Sequence, residues 1–382
     1  MELTTIYERI DANRQHMLDL WQELVNADCG SYNKAGVDAV GKRVAAFLEE
    51  NGMTVRFHTC ETRGNLLIAE YGDMTKPFVL FVGHLDTVFK DGTAAERPFT
   101  IRDGKAYGPG VLDMKGGIVI ALYVMKLLKE WGYAKYPIKL ILAGDEEVGH
   151  AGSDAVAVIQ EESKGAVAAF NFETGFMDNS VVIERKGAFH AAIDVAGIGA
   201  HAGNNPKDGR SAIREMAHKI LAMEALTDFD MGNTVNVGVI SGGTVANAVP
   251  EHCRATVDVR FTSTEWGRQY MEKIKEIVEH SYVDGTTGTM NVPFWFNAMS
   301  RLDGTMKLLE RVNAIMHQEG FAPVTAKSVG GGSDSAYTTS VGVPTLCAMG
   351  VQGAGNHTVH EWADIESLFT RTKMMTAIMM HL

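Results

Sequence analysis

The chain has 382 residues, of which 46% are hydrophobic and 21% charged, a composition typical of a folded globular protein with a large core. Its formal net charge of −12, without any block of Lys and Arg, argues against nucleic acid or an anionic membrane as a partner. No apolar run of about 18 residues predicts a spanning helix, and the N-terminal segment lacks the pattern of a signal peptide. The four scattered cysteines, Cys29, Cys60, Cys253 and Cys347, are expected to be free thiols in a reducing cytoplasm.

The N-terminal region is predicted to form helices followed by strands. Apolar residues recur at helical spacing over 4–25 and 37–48, and strand patterns follow at 53–57 and 66–69. Because a chain of this length favours two domains over one, these elements are expected to begin the first domain.

The next stretch is an apolar run that starts at Phe78 and stops at Gly83, which predicts a strand buried on both faces. It delivers His84 and Asp86, whose side chains point to the same side of an extended chain. Two polar groups at the end of a buried strand need partners. A metal ion bound by His84, with Asp86 fixing the geometry, is one solution. A hydrogen-bonded His–Asp pair is the alternative.

Asp113 lies in a glycine-rich segment, 107–117, that leads into a predicted helix over 118–129. Four glycines and a proline within eleven residues indicate a loop with a constrained backbone. The position just before a helix also suits an N-cap aspartate. Asp113 is therefore a candidate ligand with a structural alternative.

Acidic residues follow two further predicted strands. The strand at 138–143 leads into three carboxylates at 145–147, and the strand at 166–172 ends in Glu173. Adjacent carboxylates repel one another unless cations or protons neutralise them, and strand ends in α/β sheets are where ligands bind. An exposed acidic turn is the alternative. Three successive strands that end in polar groups nevertheless favour one shared site.

From about residue 187 the pattern changes to strand–helix–strand–strand–helix–strand, which is the split βαβ arrangement. It predicts an inserted α+β ferredoxin-like domain over 186–297. Residues 1–185 and 298–382 are assigned to a catalytic domain of the α/β class, with a mixed, mostly parallel sheet flanked by helices. After the insert we expect a helix, two strands and a Met-rich last helix whose methionines fill the core.

The candidate ligands are two imidazoles and three carboxylates: His84, Asp113, Glu147, Glu173 and either His357 or His360. This set suits two divalent ions with one shared carboxylate, and it favours zinc, although cobalt or manganese would fit. Of the adjacent pair Glu146 and Glu147, one would bind metal, and the other would accept the proton of a water that the metals acidify. Such a site hydrolyses amides. The motifs of serine hydrolases, P-loop proteins and dinucleotide-binding proteins are not found.

Nine segments occur in an order with a known counterpart: Gly-His-Leu-Asp-Thr (83–87), Gly-Pro-Gly-Val-Leu-Asp-Met-Lys-Gly-Gly (108–117), Asp-Glu-Glu (145–147), Phe-Glu-Thr-Gly (172–175), Ala-His-Ala-Gly (200–203), Asn-Ala-Val-Pro (247–250), Asp-Val-Arg (258–260), Gly-Gly-Gly-Ser-Asp (330–334) and His-Thr-Val-His-Glu (357–361). Together they resemble the di-zinc aminopeptidase-like exopeptidases and deacylases. The glutamate carboxypeptidase branch is the most similar. The resemblance runs from about Asn65 to Leu382.

The resemblance implies a complete set of protein ligands for two zinc ions per subunit. His84 and Glu173 would bind one ion, Glu147 and His357 the other, and Asp113 would bridge them. His357 is preferred to its neighbour at 360 because the family has a glutamate four residues after this ligand.

Further roles follow from the same resemblance. Glu146 is expected to be the general base, Asp86 to orient the histidine at 84, and the bond between residues 113 and 114 to be cis. His150 is a rival ligand by position, but it is interpreted as a solvated loop histidine.

The inserted domain is expected to be a lid and dimerisation domain of a homodimer. His201 would reach the partner subunit's site and stabilise the oxyanion. Asn247 and Arg260 would hold the substrate, with backbone help from Gly331, Gly332 and Ser333. An arginine paired with a neighbouring acid is the alternative for residue 260.

The predicted protein is a cytoplasmic zinc metallopeptidase of the carboxypeptidase or dipeptidase type. It would cleave an amide next to a free carboxylate in a small peptide, with a C-terminal glutamate as a candidate. An N-acyl-amino-acid deacylase with the same site is the alternative enzyme. A binding protein with a decayed site is the alternative outside enzymes, but every catalytic position is filled.

Overall fold

The computed structural model describes residues 3–382 and divides the chain into two compact units. The larger unit comprises the chain up to Glu184, together with Arg301–Ser328 and Ser333–Leu382. The smaller unit comprises Arg185–Ser300 and Val329–Gly332. The short return to the smaller unit at Val329–Gly332 has no counterpart in the boundaries expected from the sequence.

The larger unit is built on a six-stranded sheet. Its strands, in spatial order, are Thr54–His58, Gly64–Tyr71, Ile138–Gly144, Phe78–His84, Ala166–Asn171 and Thr345–Leu346. The first two junctions are antiparallel and the remaining three are parallel. The predicted α/β class with a mixed, mostly parallel sheet is therefore confirmed.

The two central strands explain where the site forms. Every residue of Phe78–His84 and of Ile138–Gly144 is buried, as their continuous apolar sequences predict. Phe81 packs its ring against the edge of the Phe172 ring, with centroids 5.0 Å apart. Because the two strands and Ala166–Asn171 run parallel, their carboxyl ends lie at the same edge of the sheet.

Helices and minor strands complete the larger unit. The helices are Leu3–Ala12, Arg14–Val25, Lys34–Glu50, Thr93–Glu96, Gly116–Glu130, Ala155–Ser163, Asp303–Gln318, Ser335–Ser340 and Ile365–His381. Thr100–Arg102, Lys105–Tyr107, Gly353–Ala354 and Trp362–Asp364 form a small second sheet, and Ser180–Arg185 pairs with Thr325–Val329.

Two sequence predictions about helices have different outcomes. The single helix predicted over 4–25 is interrupted at Asn13, whose side-chain amide donates to the carbonyl of Arg9. Such local bonds compete with the helical ladder. In the last helix, Met375 and Met379 are fully buried in the core, as expected for filler residues. No helix among residues 3–382 is long and apolar enough to cross a membrane.

The smaller unit is a four-stranded antiparallel sheet with two helices. Its strands, in spatial order, are Thr234–Gly242, His252–Phe261, Gly187–Ala196 and Thr287–Phe296, and its main helices are Ala212–Glu224 and Thr264–Glu279. This order is that of a ferredoxin-like unit. Along most of His252–Phe261 buried and more exposed residues alternate, because only one face of the sheet packs against the unit's own core.

Candidate metal centre

The first cluster of the site forms around His84 at the end of its strand. The ring Nδ1 lies 3.0 Å from the carbonyl oxygen of Asp86, to which it can only donate. This bond leaves Nε2 available as a candidate metal ligand. Nε2 lies 3.4 Å from Oδ1 of Asp113 and 3.6 Å from Oε1 of Glu173. One imidazole and two carboxylates therefore converge.

A second cluster forms on the other side of Asp113. Nε2 of His357 lies 3.1 Å from Oδ2 of Asp113 and 3.1 Å from Oε2 of Glu147. Asp113 thus presents one oxygen to each cluster. In both clusters the three donor atoms lie within 4.8 Å of one another.

The loop that carries Asp113 is held by a buried glutamate. Glu361 accepts the backbone N–H groups of Gly110, Leu112 and Asp113, at 2.9, 2.9 and 3.0 Å. The peptide bond between Asp113 and Met114 is cis, as the resemblance implied. Asn356 also donates to Oδ2 of Asp113, at 3.2 Å.

Asp86 connects His84 to the acidic turn at 145–147. Its carboxylate accepts a 2.6 Å hydrogen bond from Ser31 Oγ and the backbone N–H groups of Glu146 and Glu147, at 3.1 and 3.2 Å. One oxygen also lies 3.4 Å from Nδ1 of His84. A buried carboxylate with this many partners is well satisfied. Asp86 therefore positions the turn as well as the histidine.

Three buried atoms of the site have no hydrogen-bond partner among the described residues: Nε2 of His84, Oδ1 of Asp113 and Oε1 of Glu147. Burying such atoms unpaired costs about 1–3 kcal/mol each. All three belong to side chains of the two clusters, where a bound cation would satisfy them. The donor set therefore fits divalent metal ions.

The electrostatics of the clusters point the same way. Contacts with Asp113 and Glu147 raise the pKa of His357 to about 11. Burial opposes protonation of His84, but contacts with Asp113 and Asp86 outweigh it and raise its pKa well above the ordinary value. Both imidazoles favour their protonated, positively charged form because the carboxylates around them are negatively charged. Bound metal ions would supply the same positive charge.

Glu146 belongs to neither cluster, although it adjoins Glu147 in the chain. It is buried, and this burial raises the pKa of its carboxyl well above the usual value, against the opposing charge of His84. A carboxylate with a raised pKa beside a cluster of candidate metal ligands is suited to accept and return a proton.

The interpretation of His150 as a solvated loop residue is wrong. His150 is buried, with Nδ1 2.8 Å from Asp145 Oδ1 and Nε2 2.7 Å from Asp334 Oδ1. Although burial opposes it, the charges of Asp334 and Asp145 raise the pKa of His150 well above its ordinary value. The resulting bridge ties the acidic turn at 145–147 to the end of the segment at 330–334.

In the smaller unit, His201 and Asn247 are neighbours. Ala200–His201 pairs with Ala248–Val249, and the N–H of Ala202 donates to the carbonyl of Asn247 at 2.9 Å. Nδ1 of His201 accepts hydrogen bonds from the backbone N–H groups of Gly203 and Asn204, each at 3.1 Å. The proton of the neutral ring therefore sits on Nε2, which is left as a donor.

The remaining predicted substrate contacts are differently engaged. Arg260 donates through Nε and Nη2 to Asp258 at 2.9 and 2.8 Å, which is the pairing considered as the alternative. The carbonyls of Gly331 and Gly332 accept from Arg185 Nη1, at 3.1 and 3.0 Å. Ser333 belongs to the larger unit and is buried, with its Oγ 3.5 Å from Cys347 Sγ.

Sequence reasoning missed several supporting residues. The spacing of Glu361 from His357 is a usable signal, but it does not indicate the bonds of Glu361 to the loop around Asp113. Asp334 stands in the quoted glycine-rich motif, but nothing local connects it with His150. Ser31 lies 55 residues from Asp86, and no sequence pattern indicates their contact.

Paired imidazole and carboxylate clusters beside a mostly parallel sheet are typical of metal-dependent hydrolases. The model of Peptidase family M20/M25/M40 matches residues 80–381, and the chain belongs to this family. The protein is therefore a hydrolase with peptidase or amidohydrolase activity, and enzymes of its family depend on metal ions.

Two curated relatives illustrate the range of the family. The chain is 29% identical over 366 residues to carboxypeptidase G2 of Pseudomonas sp. (strain RS-16), covering 94% of this chain and 88% of the relative. It is 27% identical over 320 residues to succinyl-diaminopimelate desuccinylase of Gluconacetobacter diazotrophicus, covering 79% and 80%.

Solved structures share the fold. The aminopeptidase PepT of Bacillus cereus superposes with a TM-score of 0.79 at 23% identity, covering 96% of this chain and 98% of that one. A dinuclear metal-binding M20 peptidase of Bacillus subtilis gives a TM-score of 0.70 at 15% identity, covering 97% and 98%.

Proposed function

We propose that the protein is a zinc exopeptidase that hydrolyses an amide bond next to a free carboxylate. The observation that supports this most directly is the position of Asp113, whose two carboxylate oxygens face two separate His–carboxylate clusters. This arrangement suits a pair of divalent ions with one shared ligand. The chain is similar over most of its length to a relative named carboxypeptidase G2, and this name supports a carboxypeptidase activity.

The ligand assignment follows from the two clusters. His84 and Glu173 would hold one zinc ion, Glu147 and His357 the other, and Asp113 would contact both. Cobalt or manganese would suit the same nitrogen and oxygen donors. When bound, the ions polarise the amide carbonyl and acidify the attacking water.

Glu146 is the general base of the proposed reaction. It is a buried carboxylate outside both clusters, so it remains available to take a proton from the attacking water. It then passes this proton to the leaving amine. Asp86 supports the step because it holds the backbone N–H of Glu146 while it also contacts His84.

The smaller unit contributes oxyanion stabilisation and dimerisation in this proposal. The Nε2–H of His201 is a donor that would stabilise the oxyanion in the partner subunit's site. The edge strand Thr234–Gly242 exposes Val239 and Ile240, by 61% and 53%. An apolar, unpaired sheet edge is suited to pairing with a second copy.

Substrate binding is assigned to the smaller unit and to the backbone at 331–333. Asp258 holds Nε and Nη2 of Arg260, and Nη1 has no partner among the described residues, so it could receive the substrate carboxylate. Asn247 would contact the substrate beside His201, and the backbone at Gly331, Gly332 and Ser333 would assist. We also propose a cytoplasmic location, which the four free cysteines support.

A deacylase acting on N-acyl amino acids is the second candidate. The names of two relatives, a desuccinylase and an acetylornithine deacetylase, favour it. The same metal ligands and base would serve both reactions, since each cleaves an amide.

A panel of dipeptides and N-acyl amino acids, each with and without an amidated α-carboxylate, tests the proposal. We expect hydrolysis of the free acids and a large loss of kcat/KM for the amidated forms. Arg260→Ala should remove most of that preference, while Arg254→Ala, an exposed arginine on the same strand, should keep it. Equal turnover of free and amidated substrates by the native protein would contradict recognition of the carboxylate.

A further inference from the structure

A third group of metal-ligand side chains lies outside the proposed di-metal centre. Across residues 3–382, three groups bring at least three His, Cys, Asp or Glu donor atoms within 4.8 Å of one another. Two of them are the clusters that share Asp113. The third consists of His58, Cys60 and Asp154.

We propose that His58, Cys60 and Asp154 form a separate binding site for a thiophilic divalent cation such as zinc. A thiolate, an imidazole and a carboxylate are the donors that zinc prefers, whereas magnesium and calcium select oxygen. The three donor atoms already lie within 4.8 Å of one another, and Nε2 of His58 lies 2.9 Å from Oδ1 of Asp154.

The two chain segments that carry the site are fastened together. His58 is the last residue of its strand and pairs with Leu66 of the next strand. Cys60 lies in the turn that connects these two strands. From the same turn, Thr62 Oγ1 and Arg63 Nε donate to the carbonyls of Gly152 and Ala151, each at 3.0 Å. These bonds hold the turn against the loop that leads to Asp154, so the ligands are positioned before an ion binds.

The structural alternative for Asp154 can be compared directly. It stands at the N-cap position of the helix Ala155–Ser163, where an aspartate commonly accepts a backbone N–H. Its side chain makes no such cap bond and instead contacts His58. Cys60 is fixed separately, since its N–H donates to Asn65 Oδ1 at 3.0 Å. The carboxylate of Asp154 is thus directed to His58 rather than to the helix terminus.

The burial of the three ligands predicts an open and exchangeable site. Cys60 is only 3% exposed, whereas the side chains of His58 and Asp154 are 32% and 63% exposed. An ion would therefore have three protein ligands and water on the solvent side, which is typical of a site that exchanges its metal.

The site also lies next to a residue that supports the acidic turn. Ser153, adjacent to Asp154, donates to Oδ2 of Asp145 at 2.6 Å. Asp145 directly precedes the proposed base, Glu146, and contacts His150. Occupancy of the third site would therefore restrain the loop that supports the acidic turn.

Cobalt titration of metal-free protein tests the proposal, because spectroscopy distinguishes cobalt bound at the third site from cobalt bound at the di-metal centre. The di-metal centre offers only nitrogen and oxygen donors, so a thiolate-to-cobalt charge-transfer band reports the third site alone. We expect the native protein to develop this band and to bind one more equivalent of cobalt than the di-metal centre holds.

Cys60→Ser should abolish the band and lose that equivalent. Cys253→Ser, which removes another buried thiol, is the matched control and should keep both. His58→Gln retains the thiol and should weaken binding of the additional ion at least about tenfold. Circular dichroism checks that each variant is folded. A native protein that saturates without the sulfur band, or a band that persists in Cys60→Ser, would overturn the site.

Discussion

In the larger unit, His84 and Glu173 are buried where parallel strands end, and His357 alone among the five proposed ligands is exposed. In the smaller unit, His201 and Asn247 are exposed and Arg260 is half-buried. The difference follows from the two sheets. A sheet that is buried on both faces leaves polar groups only at its edge, where they must neutralise one another or bind cations. The antiparallel sheet has one face outside its core, so its polar residues need no such compensation.

Removal of metal should have the largest effect, and this effect should be confined to the larger unit. Chelation is expected to abolish hydrolysis, and added zinc or cobalt should restore it. Hydrogen exchange should increase in the segments around His84, Asp113 and Glu147, because their charges lose their counter-ions, while the smaller unit's sheet stays protected. Full activity in excess chelator would contradict the mechanism.

Glu146→Gln separates catalysis from metal binding within the larger unit. The amide keeps the shape but cannot accept a proton, so turnover should fall by roughly 10²–10⁴-fold. Metal content should stay unchanged, because Glu146 lies outside both clusters. Glu161→Gln, at an exposed helix position, is the matched control. Normal turnover by Glu146→Gln would remove it as the base.

His201→Ala tests whether the exposed loop of the smaller unit acts on the partner subunit. The variant should lose roughly 10²–10³-fold in kcat, as expected for an oxyanion donor. Mixing it with inactive Glu146→Gln protein should regenerate some active sites, since each mixed dimer can combine one intact base with one intact donor. Absence of recovery after confirmed subunit exchange would exclude action across the dimer.

His150→Gln tests the buried bridge between Asp145 and Asp334. Loss of the charged partner should lower the free energy of unfolding by about 3 kcal/mol near pH 6, because two buried carboxylates remain. The raised pKa of His150 means that its stabilisation is fully present below the unfolded value of 6.5 and decreases as the pH rises through the folded value. Urea unfolding at about pH 6 and about pH 9 measures both effects, and the difference between native and variant should shrink at the higher pH. A difference that grows instead would contradict the assignment.

The sequence predicted those parts of the molecule that follow from local pattern. Continuous apolar runs identified the strands at 78–84 and 138–144, and the polar residues after them were recognised because such groups cannot end a buried strand without partners. The predictions that the structure corrects depended on residues far apart in the chain. The environment of His150 is set by Asp334, 184 positions away, and the assignment of Val329–Gly332 to the smaller unit depends on contacts that no local pattern encodes.

Anomalous diffraction at the zinc edge, from crystals of zinc-loaded protein, tests the central claim most directly. We predict two peaks on either side of Asp113, one in contact with His84 and Glu173 and the other with Glu147 and His357. Absence of a peak from either of these two clusters, whether or not zinc also occupies the separate site at His58, Cys60 and Asp154, would contradict the account.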